Sequence, residues 1–579
     1  MAADLKQTNG IEMKFGHPKG LWYMFGTEMW ERFGYYLMLG IFSLYMIDGW
    51  NNGGMGFSDG TKSDIYGTYL GLVYLTPFIG GLIADRLLGY RRSIIIGGLM
   101  MACGYFFLSV HSTTTFYLAL LLIILGNGFF KPNISTLVGS LYSEDSLKDK
   151  KDAGFNIFYM GINIGAFICN FVAAYMRINY GWGAAFAAAG VGMLVGVVIF
   201  ILGNKHIKSY DVVKPLQDGD MSTGKILGLT VLPMFLFGTL GYMLPGNFLG
   251  SDTNDAFIIG CLPVIGFFIY LAFKSEAKES RAIKALLAVF TCVILFFAIF
   301  HQNGDALTIW AEDHTDREMS AGVAGVADKV GMAQLVVNNE LVSSDNKTFK
   351  DSIAKLEKIA ETMPSSTKAE LDARASYNSN IELQKKSRMY FSNLPKEKIP
   401  QKGKDLKLYS TELYQSINPF WVVLLTPIMV GVWGFFRRRK REPSTPTKIF
   451  IGLIITALSA LVMVGAVFAT NDMTGKASSL WLLASYGVIT IGELCLSPMG
   501  LSLVSKLSPP RITALMMGGF FLAISVGNKL SGMLSSLWET TEQKENFFYL
   551  NFALVMAAAI ILFAMLRWLN RVMKENNVL

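Results

Sequence analysis

The sequence predicts an all-α membrane protein, and three observations carry that prediction. The 579-residue chain is 52% hydrophobic and 16% charged, whereas a soluble domain carries about 25% charged residues. The mean hydropathy of the whole chain is +0.40, and its apolar residues arrive in about fourteen blocks close to the roughly 20 residues that a helix needs to cross a bilayer. Its basic residues gather in alternate short loops, the pattern of loops held on the cytoplasmic side. A soluble enzyme, a disulfide scaffold and a disordered chain are excluded as readings of the whole.

Taken in chain order, the predicted spans lie at 21–47, 63–84, 91–111, 116–141, 153–176, 183–203, 225–246, 255–274, 283–309, 417–437, 447–470, 479–506, 512–536 and 546–570. Loops such as DRLLGYRR, YSEDSLKDKKD and FFRRRKREPSTPTK fall inside, and HSTTT, PGNFLGSDTND and ETTEQKEN fall outside. The alternation never breaks, so both termini are expected in the cytoplasm, with residues 1–20 and 571–579 as cytoplasmic ends. The polar start lacks the charge-apolar-cleavage order of a signal peptide, and the first span is expected to act as an uncleaved insertion signal. The net charge of +8 belongs to the inner loops and is no sign of nucleic acid. Cys103, Cys169, Cys261, Cys292 and Cys495 all lie inside apolar blocks without metal or CxxC spacing, so free thiols and no metal site are expected.

Setting aside the pair at 225–274 leaves an N-terminal six-helix bundle, 21–203, and a C-terminal one, 283–309 with 417–570. A strongly basic loop follows the second span of each. Two six-span halves related by an axis along the membrane normal are the layout of major-facilitator transporters. Residues 311–415 are a polar insert, too long for an ordinary loop. The charge count places it on the extracytoplasmic side. In KTFKDSIAKLEKIAETM, Phe349, Ile353, Leu356 and Ile359 recur at near-helical spacing, so a small, mostly helical domain is expected.

Ionisable residues inside spans mark function, because each costs about 2.5–3.5 kcal/mol at a helix centre on insertion scales. The densest group is Glu28-Met-Trp-Glu31-Arg32-Phe33-Gly34-Tyr35-Tyr36 in the first span. Glu28, Arg32 and Tyr35 share one helix face, with Glu31 at its edge. Two acids beside one arginine leave a carboxylate free to exchange a proton.

This segment resembles the ExxERFxYY motif of the proton-dependent oligopeptide transporter (POT) family. Phe129-Phe130-Lys131-Pro132-Asn133 is similar to the family's fourth-helix segment. The run from Phe158 to Gly165 resembles FYxxINxG, and Gly492-Glu493 through Gly500 resembles GExxxSPxG. The extra span pair resembles that of prokaryotic members. The resemblance covers nearly all the membrane region and leaves out the insert. It implies a multi-pass protein of the bacterial inner membrane, acting as a monomer, that imports di- and tripeptides with protons and needs no cofactor.

Lys131 is the only charge within its span, and with Arg32 it makes a positive pole fit for a carboxylate. Glu493, alone in an apolar span of the other half, is a negative pole fit for an ammonium. The resemblance implies that Arg32 and Lys131 hold the peptide carboxylate. It implies that Glu493, Asn163 and Asn418 hold the amino end, and that Tyr36 and Tyr74 line the pocket. Lys131 and Glu493 could also pair with each other as a gate, and Asp85 with Arg86 resembles a superfamily latch on the cytoplasmic side. Proton coupling is expected of Glu28, Glu31 and Arg32.

Three departures stand out. His301 occupies a position usually acidic in this family, with Asp305 one turn on, and a His301–Asp305 pair could carry a proton. Phe297 and Phe520 stand where tryptophans are usual, and Gly67 where animal members have histidine. A same-family carrier of another solute, nitrate or a peptide-like compound, is the alternative reading. An enzyme is not expected, since HExxH and GxSxG are absent, and without a Walker loop ATP is not the energy source.

Overall fold

The computed structural model describes residues 12–142, 147, 150–211, 223–338, 346–364, 370, 374, 377, 381, 390–391, 393–401, 403–470, 475–509 and 512–576. The chain enters through a small antiparallel hairpin, β1 (Met13–Lys14) and β2 (His17–Pro18), whose turn residues Phe15 and Gly16 have positive φ. It then forms α1 (Lys19–Ile47), α2 (Asp59–Ile83), α3 (Tyr90–Leu108) and α4 (Thr113–Leu141). Ser58 caps α2 by accepting the Thr61 N–H. The element α5 (Lys151–Leu202) is two helical arms that meet at Gly181, whose φ of 81° favours glycine. The predicted spans 153–176 and 183–203 are those two arms.

After α6 (Thr223–Tyr242) and α7 (Asp252–Lys274), α8 (Ala277–Phe300) runs into a 3-10 turn at His301–Gly304 and then a short α9 (Ala306–Asp313). The predicted span 283–309 is therefore interrupted. Gly304 lies under the Tyr66 hydroxyl, which a Cβ there would strike, and its carbonyl accepts the Ser43 hydroxyl at 2.7 Å.

The insert holds β3 (Thr315–Asp316), α10 (Ala321–Lys329), β4 (Ala333–Val337), α11 (Asn346–Thr362) and β5 (Asp405–Tyr409). The expectation of a mostly helical insert is corrected in one respect. β4 and β5 form a five-pair antiparallel ladder from Ala333↔Tyr409 to Val337↔Asp405, closed over Tyr390, Phe391 and Leu394. The expected helix is α11, with Ile353 buried against Ala360 and Ile381, and Leu356 packed beside them.

A 3-10 turn, Thr411–Ser416, leads into α12 (Ile417–Arg438). Then follow α13 (Thr445–Ala469), β6 (Ala477–Ser478), α14 (Ser479–Leu507), α15 (Thr513–Thr540) and α16 (Lys544–Glu575). Among the described residues, eleven helical segments are long and apolar enough to cross a membrane; α1, with its four charged residues, lies outside that set, and α6 holds a shorter apolar helix. Large apolar side chains stay exposed on many of these helices, Leu232, Phe235, Val423, Ile428, Ile560 and Phe563 among them. Such a belt would be an aggregation liability in water and suits contact with lipid.

Two apolar cores organise the helices. One runs through α1–α5, from Met13 to Ile207. The other joins α7, α8 and α13–α16, from Phe257 to Met573, with Leu75 of α2 at the seam. The helix α1 runs from a near end, carrying Lys19, to a far end, carrying Ile47. At the far end Ile47 packs on a third cluster that includes Trp310, Tyr414 and Trp538.

The seam between α2 and α15 is a backbone-to-backbone contact. A Cβ on Gly67 would lie 2.9 Å from the Gly532 Cα, and one on Gly532 would lie 2.5 Å from the Ser63 carbonyl. Paired glycines let the helices approach this closely. The hydrogen bonds that join the two cores begin midway along α2, where Ser525 donates to the Gly71 carbonyl at 2.7 Å. Among the described residues, all of them lie from that level to the far end.

Candidate functional site

The charges of α1 meet midway along the helix. Arg32 Nε lies 3.0 Å from Glu28 Oε1 and 2.7 Å from Glu31 Oε2. All three side chains are buried, and the guanidinium rests 5.4 Å from the centre of the Tyr35 ring. One guanidinium nitrogen, Nη2, and the oxygens Glu28 Oε2 and Glu31 Oε1 have no hydrogen-bond partner. A buried charge with unused donors is costly unless something binds there, so the group has the capacity for a ligand or a proton.

Lys131, on α4 just before Pro132, places its ammonium 3.9 Å from the centre of the Tyr74 ring. His301 meets the same ring edge-on, 5.9 Å away, and its imidazole stacks on Phe297. Lys131 interacts electrostatically with Arg32, Glu31 and Glu28, which makes one continuous charged wall from α1 to α4.

A negative group comes from the second half of the chain. Asn418, at the start of α12, donates to Glu493 Oε2 at 3.1 Å and to Thr490 Oγ1 at 2.9 Å, both on α14. Tyr36 and Tyr74 each lie within electrostatic reach of both Arg32 and Glu493. Asn163 on α5 is half-buried and donates to its own helix at the Tyr159 carbonyl, 3.0 Å away. The site thus gathers Glu28, Glu31, Arg32, Tyr36, Tyr74, Lys131, His301, Asn418 and Glu493.

Two expectations change, and a third falls on residues whose side chains are not described. Lys131 sits on Tyr74 and Glu493 is bonded by Asn418, so the two do not pair with each other here. The His301–Asp305 pair does not form, because the chain leaves the α-helix at His301 and loses the spacing that would stack them. Asp305 turns instead to Lys62 of α2, with its Oδ1 2.5 Å from the ammonium and both side chains buried. The side chains of Asp85 and Arg86 lie outside the described residues.

Further buried charges belong to the same seam. Lys529 on α15 bonds Asp64 Oδ1 at 2.6 Å and Thr68 Oγ1 at 2.5 Å on α2. Arg177 on α5 bonds Glu412 and, at 2.9 Å, Ser410. Sequence reasoning missed these residues. The signal was present for two of them, because Lys529 and Asp64 lie inside predicted spans and the cost of an intramembrane charge applies to them equally.

A helical bundle with two apolar cores, buried charged groups contributed by helices of both and a one-ended set of cross-links suits a membrane carrier. The family model described as POT family (PTR2) matches residues 91–328 and 407–550. The chain belongs to the POT family. It is 29% identical over 555 residues to a protein named uncharacterized transporter YclF of Bacillus subtilis, covering 95% of this chain and 94% of that one. It is 28% identical over 540 residues to a di-/tripeptide transporter of Lactococcus lactis subsp. lactis, covering 91% of each. Among solved structures, a mutant of the peptide transporter POT in complex with alafosfalin matches with a TM-score of 0.73 at 27% identity over 97% of each chain. The fold is of the major-facilitator type.

Proposed function

We propose that this protein is a proton-coupled symporter that imports di- and tripeptides across a bacterial inner membrane by alternating access. The observation that carries this reading is that Arg32 of one half and the Asn418-bonded Glu493 of the other both lie within electrostatic reach of Tyr36 and Tyr74. A short peptide has a carboxylate at one end and an ammonium at the other, and the two halves offer cationic groups, Arg32 and Lys131, and an anionic one, Glu493. Arg32 Nη2, without a partner, and the Lys131 ammonium are donors for the carboxylate. Glu493, oriented by Asn418, accepts from the ammonium. Tyr36, Tyr74 and Asn163 complete the lining. A carrier of nitrate has no use for the acid on the second wall. Relatives named as di-/tripeptide transporters cover about nine-tenths of the chain, in support of the same substrate class.

Glu28 and Glu31 share one guanidinium, so neutralising one of them leaves the other paired with Arg32. That is the arrangement for taking a proton from one side and releasing it to the other. His301, next to Tyr74 and Lys131, is placed to sense the same charge. One charge moved through 100 mV supplies about 2.3 kcal/mol, or roughly fifty-fold accumulation.

The two cores are the two halves that rock. With the near end and both termini in the cytoplasm, the insert is extracytoplasmic, and the cross-links at the far end hold an inward-facing state. Lys62–Asp305, Lys529–Asp64 and Arg177–Glu412 are then the outer gate. Asp85 and Arg86 belong to the inner latch. The monomer contains both walls of the site.

The test uses purified protein in liposomes. Labelled dialanine is expected to accumulate when the outside is acidic and the interior negative, and to equilibrate without accumulating when both gradients are absent. Folded protein that accumulates no peptide under either gradient would remove the symport reading.

A further inference from the structure

The insert touches both halves. It is tied to the second half along β3, which pairs in parallel with β6, Thr315 opposite Ala477 and Asp316 opposite Ser478. Ser479 Oγ donates to the Asp316 carbonyl at 2.9 Å, and the Lys476 ammonium lies 4.3 Å from the centre of the Tyr390 ring.

Its other contacts cross to the first half. Asn179, two residues before the Gly181 corner of α5, donates to the Gly331 carbonyl at 2.7 Å. Gly331 follows α10 with φ +66°, and a Cβ there would lie 2.8 Å from the Asn179 amide oxygen, so this loop is shaped to that asparagine. Two residues upstream, Arg177 bonds Glu412 and Ser410 in the segment that returns from the insert to α12. Glu412 is fully buried and Arg177 nearly so. The guanidinium is fixed in the first half by the Trp182 ring, 5.2 Å away, whose N–H donates to Asp48 at 2.8 Å. A buried carboxylate whose counter-ion belongs to the other half loses that counter-ion whenever the halves part.

These contacts can exist in one state of the carrier only. Opening the outer face moves the first half away from the second and breaks the bonds of Arg177 and Asn179 together. Interactions made in one state and lost in the other are those that set populations.

We propose that the insert, residues 311–415, is a strap across the outer gate, docked on Arg177 and Asn179 of the first half, and that it raises the share of the inward-facing state. This rests on the alternating-access reading above. The strap gives the insert a task that a peptide site alone does not require. It also makes Arg177, Asn179 and Glu412 positioning residues that never touch substrate.

The experiment measures the outer opening directly. Spin labels are placed at Asn51→Cys and Glu542→Cys, both exposed at the far end, with the exposed native thiol removed as Cys103→Ser. Distance distributions are recorded in liposomes without peptide. The charge pair is removed as Arg177→Met with Glu412→Met, which leaves neither charge unpaired, and the amide contact as Asn179→Ala. The long-distance, outward-open population is expected to rise about ten-fold in the double variant and about three-fold in Asn179→Ala. Lys62→Met serves as the positive control for a loosened outer gate. Distances that stay unchanged in the folded double variant, while the control opens, overturn the strap. Should the double variant fail to fold, an unchanged distribution in Asn179→Ala overturns it alone. Uptake of dialanine by the unmodified protein is measured in the same liposomes. Its absence would sink the transport reading without touching the distance result.

Discussion

Lys62 and Asp305, 243 residues apart in sequence, face each other at 2.5 Å with both side chains buried. One sits at the start of α2 and the other just past the break that ends α8, so this single ion pair ties the two halves at the far end. Removing one partner leaves an uncompensated buried charge, which costs about 3–5 kcal/mol, whereas replacing both by apolar groups is often close to neutral. Lys62→Met is therefore expected to lower the thermal midpoint of the purified protein and to open the far end. Lys62→Met combined with Asp305→Leu is expected to recover most of the midpoint. Equal loss in the single and double variants would show that the pair is not the source of the effect.

Gly67 is a second point of closure. Its Cα faces Gly532, and a Cβ would meet backbone atoms of α15, which cannot rotate away. Gly67→Ala is expected to destabilise the protein by about 1–3 kcal/mol, the usual size of an overpacking effect. Thermal unfolding checks this, and Gly81→Ala is the comparison. Its Cβ would meet only the Pro132 ring, at 3.4 Å.

Glu493→Gln keeps the size of the side chain and its bond to Asn418 while removing the charge that an ammonium needs. A hydrogen bond to a charged group is worth about 1.5–3 kcal/mol, so competition by unlabelled dialanine is expected to weaken by about ten-fold or more. The same variant should bind a peptide with a blocked amino end as the unmodified protein does. Preserved dialanine competition would place the amino end elsewhere.

Glu28→Gln and Glu31→Gln separate coupling from binding. Peptide exchange between equal pools is expected to persist, and uphill uptake driven by a proton gradient to stop. Loss of both would assign these acids to support of the helix and not to the proton.

The junction of α9 with the insert has its own pH dependence. Burial between Trp310 and Trp538, reinforced by the charges of Lys476 and Lys544, holds His314 down at about 3, against 6.5 for a free imidazole. Between those values the unfolded chain binds a proton that the folded chain does not, so stability falls as pH drops from 6.5 toward 3. The thermal midpoint is expected to decline over that range, and His314→Gln to decline less steeply. Parallel slopes would show that His314 contributes nothing to the trend.

Much of the candidate site was legible because a bilayer makes charge conspicuous. Glu28, Glu31, Arg32, Lys131 and Glu493 stand out in apolar blocks, and four of the five, Glu28, Glu31, Arg32 and Lys131, lie within electrostatic reach of one another. The break at His301–Gly304 was not legible, because it depends on Tyr66 and Ser43, which reach Gly304 from other helices. The β4–β5 ladder was also missed. Its short runs AQLVV and DLKLY have weak alternation, and each is stable only beside the other.

The sequence by itself determined the helices, their membrane setting and the charges of α1, α4 and α14, since these follow from composition along the chain set against the thickness of a bilayer. The tertiary structure alone decided which charge meets which: Asp305 with Lys62 and not His301, Glu493 with Asn418 and not Lys131, Arg177 with Glu412 of the insert. Partner choice among buried ions depends on which helices lie side by side and how closely their backbones approach, and a contact between residues hundreds of positions apart leaves no local pattern from which it can be read.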